Sequence, residues 1–128
     1  MATILLVDDD PLQAFLRKSI LERRFPHVRR VGDAASALCL VEQPQFAASL
    51  GLVVSGRHQS GIGGPAFVAE LHTRMPFLPV LVLGDIDEIP ANYIYVGDQI
   101  RFLSQPILAE DILSTADRML TQDRRKTA

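Results

Sequence analysis

The run Thr3-Ile4-Leu5-Leu6-Val7, closed at once by Asp8-Asp9-Asp10-Pro11, restricts the fold of this chain more than any other stretch. An unbroken apolar run of that length, β-branched at both ends, suits a strand covered on both faces. Three carboxylates end it and a proline then opens a helical pattern. Acidic groups at the carboxyl end of a central parallel strand fall where open α/β sheets form their ligand crevice. The remaining segments are therefore read by what each can bring to that point.

Asp10 is placed to cap a helix with Pro11 at its first position, where the missing N–H costs nothing. Leu12, Phe15, Leu16 and Ile20 form the apolar stripe expected of that helix, with Arg17, Lys18, Glu22, Arg23 and Arg24 outside it. Pro26 ends the pattern. His27 to Val31 alternates like a partly exposed edge strand, Gly32-Asp33 turns the chain, and Asp33 caps a helix from Ala34 to Gln43 that Pro44 closes. Leu50 to Ser55 is a short buried strand feeding a loop, Gly56 to Gly64. Pro65 opens a third helix carrying Phe67, Val68, Leu71 and Met75. Val80 to Leu83 is a fourth strand, and Ile100 to Leu103 a fifth, ending at Ser104-Gln105-Pro106. Between these two strands Pro90 shortens or breaks any helix. The last helix presents Leu108, Ile112, Ala116, Met119 and Leu120 on one face.

Strands alternating with helices across short crossovers predict a doubly wound, five-stranded parallel sheet with helices on both faces. The flavodoxin-like order 2-1-3-4-5 suits this length and puts the crevice over strands one and three. Residues 1–121 are expected to form one domain, and 122–128 a basic tail or linker start containing Arg124-Arg125-Lys126.

Charge and cysteine content narrow the function. Thirteen basic against fifteen acidic side chains give a net charge of -2, which makes no electrostatic case for nucleic acid or an anionic membrane. The single cysteine, Cys39, excludes an internal disulfide and is expected as a small buried or half-buried hydrophobe. With no apolar run near the ~20 residues of a membrane span, and no signal-peptide shape at the start, a cytoplasmic protein is expected. His27, His58 and His72 are too scattered for a zinc site. No GxSxG elbow suggests a hydrolase. The loop from Gly56 to Gly64 holds four glycines but neither a lysine nor phosphate-loop spacing, so loop geometry accounts for it.

Ile4 to Pro11 resembles the opening of a receiver domain of two-component response regulators, and the resemblance covers essentially the whole chain. Gly61-Ile62-Gly63-Gly64, Pro79 to Leu83, and Phe102 to Pro106 fall in the family's order and spacing. The resemblance implies a switch in which a partner histidine kinase gives a phosphoryl group to an aspartate after strand three. It also implies Mg²⁺ on an acid pair, a Thr or Ser after strand four, and a Lys after strand five. The acid pair is present as Asp8 and Asp9, and Phe102 stands at the aromatic switch position. The acceptor position falls on Gly56, the Thr/Ser position on Gly84 and the Lys position on Gln105. Glycine carries no nucleophile, so the resemblance implies a degenerate receiver: no enzyme, no catalytic residue, and action through protein partners.

Two carboxylates about 4 Å apart repel by roughly 4 kcal/mol at an effective dielectric of about 20. Without the lysine, one acid is protonated, a metal binds, or a local cation replaces both. Arg57 and His58 are candidates for that cation, as a standing ion pair with Asp8 or Asp9. No resident cofactor is expected. Mg²⁺ on Asp8 and Asp9 would be weak at best, because the family's third carboxylate is the missing acceptor. Expected partners are a sensor kinase, an output domain or a second copy, met through the helix before strand five, strand five itself and the last helix. Tyr93, Tyr95 and Phe102 would line that surface. Two other readings stay open: a displaced acceptor among Asp85 or Asp8 to Asp10, and a small-ligand binder.

Overall fold

The computed structural model describes residues 2–56, 62–84 and 99–127. Within them the apolar runs become strands and the periodic segments become helices. The order is β1 (Thr3–Val7), α1 (Pro11–Glu22), β2 (Val28–Val31), α2 (Ala34–Val41), α3 (Pro44–Ser49), β3 (Leu50–Ser55), α4 (Gly64–Arg74), β4 (Val80–Gly84), β5 (Ile100–Ser104) and α5 (Ala109–Thr127). All pairings are parallel and the sheet runs β2-β1-β3-β4-β5, as the sequence predicts.

Parallel strands need both faces covered, and side chains alternate along them, so each strand feeds two cores. Leu5, Val7, Val53, Val80 and Val82 point to one side, against Phe67 and Leu71 of α4 and Ala37 of α2. Ile4, Leu6, Leu52, Val54 and Leu81 point to the other, against Leu21 of α1 and Ile112 and Met119 of α5. The edge strand β2 is only partly buried.

Four details differ from the sequence expectation, each for a local reason. In α1 the stripe is largely misplaced: Leu12 and Phe15 are 68% and 67% exposed and Leu16 is exposed too, while Ala14 and Leu21 are buried and Ile20 alone of the expected stripe packs against the core. The small Ala14 lets the helix lie close to the sheet, and the inward face then runs through Ala14, Arg17 and Leu21 at helical spacing. Pro44 does not merely stop α2. It starts α3, since a proline in a first turn forfeits no helical hydrogen bond. Leu108 precedes α5 and is exposed, whereas Ile112, Ala116, Met119 and Leu120 are buried. Cys39 lies on the outer side of α2 and is exposed.

Both aspartate caps form. Asp10 accepts the N–H groups of Leu12 and Gln13, with Pro11 beginning the helix. Asp33 accepts the Ser36 N–H at 2.7 Å. That backbone hydrogen bond, aided by the Ser36 side chain, holds the Asp33 carboxyl below its ordinary value of 3.8. A depressed carboxyl favours the folded state above the unfolded value, and the contribution disappears as pH falls through the folded value.

Two outcomes follow from this packing. Leu21→Ala should cost about 2–5 kcal/mol in urea unfolding while Leu12→Ala stays within about 0.5 kcal/mol, reversing the order the apolar stripe suggests. A carboxyl-carbon NMR titration should place Asp33 below 3.8, and Ser36→Pro, which removes the N–H, should bring it back up.

Candidate functional site

The crevice forms where β1 stops. Val7 lies between Val31 of β2 and Ser55 of β3. The ladder extends one step beyond: the Asp8 N–H donates to the Val31 carbonyl at 3.2 Å, and the Gly56 N–H donates to the Val7 carbonyl at 2.7 Å. Asp8 and Gly56 are thereby set side by side, at the point where the chain leaves β1 and β3 for opposite sides of the sheet.

Asp8 is fully buried. A carboxylate out of water needs opposite charge and hydrogen bonds to remain ionised there, and Asp8 has both. Arg17 Nη1 donates to Asp8 Oδ2 at 2.8 Å, with only 11% of the arginine side chain exposed. The Asp10 N–H donates to Oδ1 at 2.9 Å. Arg30 Nη2, reaching across from β2, donates to the Asp8 backbone carbonyl at 2.8 Å. The residue is held at both carboxylate oxygens and at its carbonyl.

Gly56 faces this ion pair. A Cβ at position 56 would stand 2.7 Å from Arg17 Nη1, and would meet Asp8 Oδ2 and Cγ as well, all closer than real Cβ contacts come. The guanidinium and the carboxylate thus fill the space into which any side chain at 56 would project. The cation that meets Asp8 comes from α1. Arg57 and His58, the cations expected from the sequence, lie outside the described residues, as do Asp85, Tyr93 and Tyr95.

The other expected positions take their places around the rim. Asp9 is half-buried beside Asp8. Asp10 is committed to the α1 cap. Gly84 ends β4 and its carbonyl accepts the Gln105 N–H at 3.1 Å, so the Thr/Ser and Lys positions are neighbours, held by glycine and an exposed glutamine. Gln105 precedes Pro106 through a cis peptide. Phe102 is exposed on β5.

The fit to Mg²⁺ is poor. That ion asks for several oxygen ligands at about 2.1 Å, yet Asp8 already spends one oxygen on a guanidinium and the other on a backbone N–H. Among the described residues no group of three or more His, Cys, Asp or Glu side chains is arranged to hold a metal.

No family model matches the sequence, and neither does any curated protein. Solved structures do. The signal receiver domain of an HD domain-containing protein from Pseudomonas fluorescens Pf-5 superposes with a TM-score of 0.82 at 24% identity, covering 97% of this chain and 98% of that one. A CheY-like response regulator receiver domain protein from Methanospirillum hungatei JF-1 gives 0.85 at 18% identity, with 98% of both chains covered. The fold is that of a receiver domain. NtrX from Brucella abortus, in complex with ATP, gives 0.78 at 26% identity over 98% of this chain but only 28% of its own length.

Sequence reasoning found Asp8, Asp9 and Gly56 but missed Arg17 and Arg30, reading them as helix surface and exposed edge. A usable signal was present: Arg17 lies three residues after Ala14 and four before Leu21, on the face those two share.

The buried pair predicts an asymmetric response to substitution. Arg17→Met should cost about 3–5 kcal/mol, because it strands a buried carboxylate, while Asp8→Asn with Arg17→Met should recover most of that loss. Chemical denaturation of the two single variants and the double variant gives the coupling between them.

Proposed function

We propose that this domain is a receiver-like signalling module of a two-component system that acts through protein–protein contact, independently of phosphorylation at position 56. The observation that carries this reading is the Asp8–Arg17 ion pair packed against Gly56. The position that would carry an acceptor carboxylate has no side chain, and the space one would enter is held by that ion pair, within a five-stranded sheet of receiver order.

The missing hydroxyl at Gly84 and the missing cation at Gln105 support the same reading. In a phosphorylated receiver these positions sense the new negative charge, and here neither side chain can answer it. The domain then presents one conformation, and information passes by what that conformation binds. Partners would be a sensor kinase, an output domain or a second copy. The contact surface would be the side formed by Phe102 on β5, α5 and the segment holding Tyr93 and Tyr95, and a homodimer through that side belongs to the same reading. The exposed Leu12, Phe15 and Leu16 on α1 suit a domain that meets other proteins, since large apolar side chains gathered on one side of a helix are what partners cover. No helix among the described residues is long and apolar enough to cross a membrane, which is in keeping with a cytoplasmic place of action.

The alternative acceptors are weaker. Asp10 is the α1 cap, and Asp8 is buried with both oxygens engaged. Intact mass spectrometry after incubation with acetyl phosphate and Mg²⁺, quenched quickly, is expected to show folded protein without a phosphoryl adduct. A stoichiometric adduct would overturn the reading, and mapping it would identify the carboxylate used.

A further inference from the structure

We propose that the Arg17 guanidinium is the resident counter-ion of the acid pocket, standing in place of a divalent metal, so that Asp8 and Asp9 do not take up Mg²⁺. The proposal deepens the reading above and rests on it only where Gly56 leaves the pocket without a third carboxylate.

The argument begins with the Asp8 oxygens. A divalent cation at Oδ2 would share that oxygen with Arg17 Nη1, which donates to it at 2.8 Å. Both cations at one oxygen would repel strongly in a site shielded from water. Arg17 is not a loose surface group that swings away at no cost. It comes from the inward face of α1, between the buried Ala14 and Leu21, and its side chain is nearly enclosed. Arg30 brings a second positive charge to the same residue, through its bond to the Asp8 carbonyl. Mg²⁺ also parts reluctantly from its own water, so a pocket offering little oxygen has weak means of capturing it.

Gly56 is the other half of this arrangement. Because a Cβ there would collide with the guanidinium and with the Asp8 carboxylate, the cation holds this position only while residue 56 is glycine. The missing side chain and the inward arginine are one device, which neutralises Asp8 permanently and without an exchangeable ion.

The test uses Mn²⁺ as a paramagnetic stand-in for Mg²⁺, read by NMR broadening of the Asp9 and Gly56 amide signals, with Mg²⁺-dependent thermal stabilisation in parallel. The wild-type chain is expected to show no saturable broadening at millimolar Mn²⁺ and no Mg²⁺-dependent rise in Tm. Arg17→Met should gain both, with affinity higher by roughly tenfold or more once the competing charge is gone, and adding Asp8→Asn should abolish the gain. Should Arg17→Met fail to fold, Arg17→Gln serves instead, since it removes the charge and keeps a hydrogen-bond donor at that position. Metal binding by the wild type at the acids would overturn the proposal. So would a folded variant, Arg17→Met or Arg17→Gln, that gains no affinity. No phosphoryl donor enters this test, so an adduct with acetyl phosphate would refute the functional reading while leaving this result to stand or fall by itself.

Discussion

A single desolvated charge governs the functional end of this molecule. Asp8 sits at the carboxyl end of the central strand with no access to water, where an ionised carboxylate is tolerated only if other groups supply what water would have supplied. Arg17 and the Asp10 N–H do so at the two carboxylate oxygens, and Arg30 holds the backbone carbonyl of the same residue. Each of these partners belongs to a different part of the chain: the first helix, the turn leading into it, and the edge strand. Meeting the needs of this one residue therefore ties the start of α1 and the end of β2 to the end of β1. The geometry of the crevice follows from that one requirement.

The sheet around it was largely legible in the sequence because burial on both faces leaves a blunt signature. Ile4 to Val7, Leu50 to Ser55 and Val80 to Leu83 are apolar runs too short for helices and too apolar for half-exposed strands, and all three became central strands. The helices were harder because their periodicity admits more than one rotation. In α1, Leu12, Phe15 and Leu16 outweigh Ala14 and Leu21 in hydrophobicity, yet a small residue allows closer approach to a sheet than a large one, and packing followed shape. The same rotation that exposed the phenylalanine carried Arg17 inward. Its pairing with Asp8 joins residues nine apart on different elements, which no local pattern encodes.

The acid pair and the empty position opposite it could be read from residue types alone, but what occupies the gap could not. A glycine after a strand is compatible with a bare turn, a bound ion or an intruding side chain, and only the distances around Gly56 separate these. The likeness to receiver domains likewise accounts for the scaffold, at identities of 18% to 26%, and leaves the chemistry of the site to its own residues.

The tight fit at Gly56 has a consequence for the mutational neighbourhood of this chain. An aspartate there is a small change on paper, but the incoming side chain would be met by the guanidinium and the Asp8 carboxylate before reaching the crevice. An acceptor at this position is reached by a pair of substitutions, at 56 and at 17, and either one taken alone disturbs a buried charge. Such paired dependence makes the present arrangement a trap in sequence space, hard to leave one substitution at a time.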